Sequence, residues 1–326
     1  MKKLGILLCI LFLLLAGCDG ESVATTPTDP TDFTVWLNMG LTYPTQDSLP
    51  DGQGQEVDVI LLLGQSNATG CSLTSYLQKD VTAEEYAAFE AGYPTVLINY
   101  CMDDHKYTTE GAFIPTGLNC GAGEGYFGPE LGMAEVLANA DSEGQTIILK
   151  YTMSGYSLHH HWLCEGQRGS IYEACMAFVT TYMDQLTAKN YDARISAICW
   201  MQGESDTTDF KAARYLENQA AFASYLRSDL TDFAKEGGIY FIDAGISSSP
   251  YCLPAYPAIN EAKVQFAALS PLNLYFSTID AGFTTLNEPE GNPDLGHYDA
   301  WCELELGRTF GQLILQAEQL RQAAQN

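Results

Sequence analysis

Five apolar runs, each rich in β-branched or aromatic side chains, punctuate the chain at Val57–Leu63, Thr146–Tyr151, Arg194–Trp200, Ile239–Asp243 and Leu274–Ile279. Their hydrophobicity is near-continuous rather than alternating, which is the pattern of strands buried on both faces. Between them the apolar positions recur at helical spacing. Pro129 and Glu130 suit the first turn of a helix continuing through Leu131, Val136 and Leu137. Cys175, Val179, Tyr182, Met183 and Leu186 form a second stripe, and Phe222, Tyr225, Leu226, Leu230 and Phe233 a third that stops at Gly237-Gly238. A last helix is predicted from about Trp301 to the C-terminus. Strands alternating with helices indicate an α/β fold, a three-layer α/β/α sandwich with a central parallel sheet, and no internal repeat or second linker divides it. The expected domain is 57–326.

The first 56 residues read differently. Lys2 and Lys3 precede an apolar run, Leu4–Leu15, too short to span a hydrocarbon core of ~30 Å. This is the pattern of a secretory signal peptide over 1–17. Its end, Leu15-Ala16-Gly17-Cys18, resembles the bacterial lipoprotein signal, in which Cys18 becomes the lipidated first residue. Residues 18–34, polar and rich in Thr and Pro, suit a tether holding a domain off a membrane. Residues 35–56 form an N-terminal extension in which Trp36, Leu37 and Tyr43 are too apolar for a pure linker. The expectation is an exported bacterial lipoprotein of the cell envelope or cell surface, its membrane contact made through Cys18.

Composition narrows the partners. The chain holds 15 Lys and Arg against 41 Asp and Glu, a net charge of −26, so a nucleic-acid partner is excluded by repulsion between like charges. At 46% hydrophobic and 17% charged it can bury a sizeable core. With Cys9 in the signal and Cys18 lipidated, eight cysteines remain: Cys71, Cys101, Cys120, Cys164, Cys175, Cys199, Cys252 and Cys302. Export permits disulfides, and proximity in sequence favours Cys101 with Cys120 and Cys164 with Cys175, while Cys199 fits a buried free thiol. With no Cys-x-x-Cys pair, no metal site is expected.

In parallel sheets ligands bind beyond the carboxyl ends of the strands. After the first strand comes Gly64-Gln-Ser-Asn-Ala-Thr-Gly70, which lacks the Gly-Lys-Ser/Thr ending of a phosphate loop and the closing glycine of a Gly-x-Ser-x-Gly elbow. After the third comes Met201-Gln-Gly-Glu-Ser-Asp206, and after the last, Asp294-Leu-Gly-His297. A hydroxyl, an amide and an Asp-x-x-His pair at one sheet edge are the parts of an acyl-transfer site.

These blocks, with Gly128-Pro-Glu-Leu131 and Ser154-Gly-Tyr-Ser-Leu158 followed by Trp162, occur in the order found in the SGNH/GDSL hydrolase superfamily. The chain resembles its carbohydrate-esterase branch, which includes the sialate O-acetylesterase-type domain and acetylxylan esterases, over roughly 57–323. It departs from the family pattern at Ala68 and Tyr156. The resemblance implies a flavodoxin-like arrangement, a small-acyl esterase without cofactor, and a role for each block. Ser66 is the implied nucleophile, His297 its base and Asp294 the holder of the imidazole, with Asp280 or Asp299 as alternative acids. The backbone N–H groups of Ser66 and Gly155 and the side-chain amide of Gln202 would form the oxyanion hole. Gln65, Asn67 and Glu204 would brace these loops. His159, His160 and His161 suit a wall of the substrate cleft better than a metal site, since adjacent histidines do not face one point.

The reading is therefore a lipid-anchored serine esterase acting on acetylated carbohydrate, acetylxylan-esterase-like, because a strongly acidic chain disfavours polyanionic glycans. A sialate O-acetylesterase, a non-catalytic glycan-binding lipoprotein and a lipase are the alternatives.

Overall fold

The computed structural model describes residues 41–207 and 210–325, so the expectations for the signal peptide, Cys18, the tether and the start of the 35–56 extension lie outside the described residues. Six parallel strands form the body of the sheet: β1 (Glu56–Gly64), β2 (Tyr93–Met102), β3 (Thr146–Thr152), β4 (Asp192–Met201), β5 (Tyr240–Ala244) and β6 (Asn273–Phe276). Their spatial order is 6-5-4-1-3-2. Two short strands, Tyr107–Thr108 and Ile114–Thr116, pair antiparallel with β2 at the margin. Without β2 the order is that of a flavodoxin-like sheet. β1 lies at the centre, where the chain turns from winding one way to winding the other, so the loops leaving β1, β3 and β4 spread apart and leave a crevice.

The main helices are α1 (Glu130–Ala140), α2 (Ser170–Ala188), α3 (Tyr215–Asp229), α4 (Tyr256–Ala267) and α5 (Ala300–Gln325). α1 packs against α5, while α2 lies on β3 and β4 and α3 packs on α4. β1 buries Val59 through Leu63 completely, as its unbroken apolar run requires of a central strand with both faces covered. Trp162, Trp200 and Phe222 interlock beside it, with ring centroids 5.1 and 4.7 Å apart along that chain. The tryptophans that follow the glycine block and end the apolar run of β4 are thus part of the core.

β2 and α4 are elements the sequence pattern did not predict, and the predicted strand to Ile279 stops at Phe276. The described part of the extension packs on α2. Tyr43 Oη donates to the Ala174 carbonyl (2.9 Å), Tyr182 Oη to that of Pro44 (2.8 Å) and Gln185 Nε2 to that of Gln46 (2.7 Å).

The disulfides favoured from sequence proximity are corrected: all eight described cysteines are free thiols. Cys101 lies near the end of β2, Cys175 is buried on α2 and Cys164 belongs to a two-stranded ribbon, so neighbours in sequence are held by different elements. Among the described residues no helix is long and apolar enough to cross a membrane.

Candidate active site

β1 ends at Gly64 with φ +150°, and a Cβ there would stand 2.0 Å from the Met201 carbonyl oxygen. Only glycine lets the strand end this close to β4. Gln65 N–H then donates to that carbonyl (3.0 Å), and the chain enters the four-residue helix Ser66–Thr69 with Ser66 first. Ser66 is 8% exposed, and its N–H, at the helix start, has no acceptor within the helix. Beneath this turn Lys150, fully buried on β3, donates to the Thr69 carbonyl (2.8 Å), the Cys120 carbonyl (2.9 Å) and Glu130 Oε2 (2.6 Å). An apolar strand interrupted by one lysine was the only sequence signal for this support.

Asp294 and His297 lie in the loop between β6 and α5. Asp294 Oδ2 is 2.7 Å from His297 Nδ1, and Oδ1 accepts the Gly296 N–H (3.0 Å). Partial burial pushes the Asp294 carboxyl up, but the bonds from His297 and Gly296 outweigh it and hold it below the usual range. With Nδ1–H directed at the carboxylate, Nε2 is the imidazole's free acceptor. Neither alternative acid bonds the imidazole among the described residues. Asp299 accepts from the Asn287 N–H (3.2 Å), Asn287 Nδ2 (2.7 Å) and the Glu288 N–H (3.0 Å), and Asp280 is exposed.

Asn67 joins the two halves. Its Nδ2 donates to Glu204 Oε1 (2.7 Å) and the Gly296 carbonyl (3.3 Å), and its Oδ1 accepts the Tyr298 N–H (3.2 Å). The residue after Ser66 therefore grips the residues on both sides of His297. Ser66 Oγ and His297 share no hydrogen bond among the described residues, a looseness usual in unliganded acyl-transfer sites. Glu204 is buried, with one oxygen on Asn67 and Oε2 unpartnered, and burial pushes its carboxyl up.

Gln202 requires a correction. Its Nε2 donates to Asp206 Oδ2 (2.7 Å), and Gln65 Oε1 (3.2 Å) and the Tyr156 carbonyl (3.3 Å) lie within reach of it. Its Oε1 accepts from Tyr215 Oη (2.9 Å) and the residue is fully buried, so its amide braces three loops instead of facing an oxyanion. Gln65 Oε1 also accepts the Ser205 N–H (3.2 Å). Gly155 is exposed at a turn with φ +79°, beside Ser154, whose N–H and Oγ both donate to Asp103 (2.7 and 3.0 Å). Asp103 and Asp206 were missed from sequence. Asp103 follows the unforeseen β2, and Asp206 accepts the N–H groups of Leu158 (2.7 Å) and His159 (3.1 Å), contacts far away in sequence.

The three adjacent histidines form part of a five-residue π-helix, Leu158–Trp162, capped by Ser157. His159 Nδ1 meets Asn218 Nδ2 (2.9 Å) and His161 Nδ1 accepts the Ser157 N–H (3.1 Å). Among the described residues no group of three His, Cys, Asp or Glu is placed to hold a metal ion. Beside His297 a cavity of about 100 Å³ is lined by Cys71, Tyr126, Glu288 and Asp294. At about 30 Å³ per water it admits only a small group. Larger cavities open at the opposite sheet edge, among Glu56, Asp58, Thr146 and Ser196, away from every group described above.

Residues 56–316 match the family of carbohydrate esterases described as sialic acid-specific acetylesterases. Among solved structures the chain is similar to a protein from Arabidopsis thaliana (TM-score 0.57, 18% identity, 82% of this chain and 99% of that one). It is similar to NanS (TM-score 0.57, 15% identity, 81% and 98%). A carbohydrate acetylesterase from Xanthomonas citri aligns at TM-score 0.52 and 17% identity over 80% of this chain and 55% of its own. No curated protein sequence matches.

Proposed function

Because the chain belongs to the sialic acid-specific acetylesterase family of carbohydrate esterases, and so is a carboxylic ester hydrolase, we propose that it removes acetyl groups from a neutral polysaccharide such as xylan. The observation that carries the chemistry is the Asn67 clamp, which ties the Ser66 turn to the loop bearing the hydrogen-bonded Asp294 and His297.

In this mechanism Ser66 Oγ attacks the acetyl carbonyl as His297 Nε2 takes its proton. The imidazolium is stabilised by Asp294, whose bond to Nδ1 keeps the ring oriented. Charge developing on the carbonyl oxygen is met by the N–H groups of Ser66 and Gly155, each such donor lowering the barrier by ~2.7–4 kcal/mol. The imidazolium of His297 then gives its proton to the sugar oxygen as the bond from that oxygen to the acetyl carbon breaks, releasing the sugar hydroxyl and leaving acetyl on Ser66. Water, deprotonated by the same imidazole, releases acetate and restores the serine.

One feature supports a neutral glycan. All six arginines are engaged elsewhere: Arg168 on Asp229, Arg194 on Asp192, Arg214 on Glu217, Arg227 on Asn273, Arg308 on Glu135 and Arg321 on Glu318. The bidentate partner that a sialate carboxylate favours is absent from the site.

The test is acetate release from acetylated xylan, an acetylated sialic acid and p-nitrophenyl acetate, alongside Ser66→Ala. Loss of all activity in the variant and turnover of xylan support the reading. Turnover of the sialic acid alone overturns the neutral-glycan part, and full activity of Ser66→Ala overturns the mechanism. The same reading makes Cys18 a lipid anchor at the cell envelope, supported by the Leu15–Cys18 block. Loss of lipid labelling in Cys18→Ser is the expected result.

A further inference from the structure

A row of rings leaves the site beside Gly155 and is used by none of the steps above. Tyr156 meets His161 edge to face (4.8 Å between centroids), His161 follows His160 (6.3 Å), and Phe210 stands against both His160 (6.1 Å) and His159 (5.1 Å). The row is rigid at its root. Asp206 accepts the backbone N–H groups of Leu158 and His159, Ser157 Oγ accepts that of His160 (3.2 Å), and Asn218 fixes His159. It is tied to the reacting turn as well: Tyr156 lends its carbonyl to Gln202, and Lys211, next to Phe210, donates to the Ser205 carbonyl (2.7 Å), whose own N–H is held by Gln65.

Its outer end is exposed. Phe210 is 55% accessible, a large apolar ring placed in water with no core to fill. Burial and the neighbouring cations hold His160 and His161 below the usual imidazole range, His161 at about 4, so near neutral pH these two rings are uncharged. Uncharged rings bearing N–H groups, ending in an exposed phenyl, suit the apolar faces and hydroxyls of sugars and offer little to an anionic or long-chain apolar ligand.

We propose that this ledge, centred on His160 and Phe210, binds the sugar units flanking the acetylated one, so that the protein takes a neutral glycan chain rather than a monosaccharide. The proposal rests on the carbohydrate-esterase reading and adds to it the length of the substrate and the residues that measure it. Phe210 and His160 are specificity residues here, remote from the reacting atoms.

The test reads binding without turnover. Xylohexaose and xylose are titrated calorimetrically into the full chain and into its Phe210→Ala, Phe210→Tyr and His160→Ala variants, with p-nitrophenyl acetate hydrolysis measured on each. Wild type should bind the hexaose at least about tenfold more tightly than xylose, Phe210→Ala should lose most of that difference, and Phe210→Tyr should restore it. Hydrolysis of p-nitrophenyl acetate should change less than about twofold in all three variants. Equal affinities for xylose and hexaose in wild type, or a hexaose affinity unchanged in both alanine variants, overturns the ledge. Loss of p-nitrophenyl acetate hydrolysis in step with hexaose binding also overturns it, because these residues would then serve the reacting centre. A chain that binds hexaose through Phe210 yet keeps full activity as Ser66→Ala would instead sink the catalytic reading and leave the ledge standing.

Discussion

Replacing Asn67 by alanine tests whether the grip on His297 positions the base. The change removes the bond to Glu204 at 2.7 Å and two weaker ones, to the Gly296 carbonyl and from the Tyr298 N–H. A bond to a carboxylate contributes about 1.5–3 kcal/mol and each weaker one about 0.5–1.5, and such terms share their loss, so about 3 kcal/mol is expected in all. For a domain of this size that is a fall of about 6 °C in Tm. The catalytic effect is separate. With both flanks of His297 released, a displacement near 1 Å costs about 100-fold in kcat. The assay is p-nitrophenyl acetate hydrolysis at a temperature where circular dichroism shows the variant folded. Asn67→Asp sharpens it, because a second carboxylate would face Glu204 where the amide donated. One of the two must then take a proton, and activity lost at pH 8 should partly return on acidification. A variant that melts lower but keeps kcat within about threefold would refute the positioning argument and leave Asn67 a purely structural residue.

Other expectations follow from the same geometry. Asp294→Asn should lower kcat by about 100- to 10,000-fold with little change in KM, since the amide presents the imidazole in the wrong tautomer; steady-state kinetics decide it. Glu303 is fully buried with neither oxygen bonded, and burial pushes its carboxyl well above the usual range, so it folds neutral while the unfolded chain ionises near 4.3. Stability from this group is complete below that value and falls by about 1.4 kcal/mol per pH unit above it until the folded pKa is reached. Glu303→Gln should therefore flatten the decline in Tm from pH 5 to 8, and parallel melting curves would oppose this. Lys150→Met alone should cost about 3–5 kcal/mol by stranding Glu130, whereas Lys150→Met with Glu130→Leu should recover most of it in urea titrations. Cys71, although it lines the cavity beside His297, has its thiol pushed up to about 12 by burial and nearby carboxylates, so iodoacetamide at pH 8 should alkylate it far more slowly than free cysteine.

What was legible in the sequence follows the range of the forces involved. β1, β3 and β4 announce themselves because a strand covered on both faces must be apolar throughout, and the observed strands extend the predicted runs by one to three residues. β2 was hidden because Pro94 and alternately exposed positions at its start blur the pattern, and α4 because its single buried face is interrupted by Lys263, which is paired with Asp243 at 2.5 Å. Local pairs were readable: Asp294 and His297 are three residues apart and do bond. Gln202 was not, because the partners that enclose its amide come from four different stretches of chain. Family blocks carry chemistry forward to positions, but the use of a side chain is decided by what folds around it.

The two short antiparallel strands beside β2 matter beyond the site. A ten-residue strand with a bare flank is a template for another chain, and here Tyr107–Thr108 and Ile114–Thr116 occupy that flank, Pro115 contributing a position without an N–H. The opposite border, β6, is only four residues long. Deleting 106–116 to trim the protein would therefore convert a self-limiting sheet into one able to add copies of itself. Aggregation by strand addition, not loss of the reacting groups, would be the first failure of such a shortened enzyme.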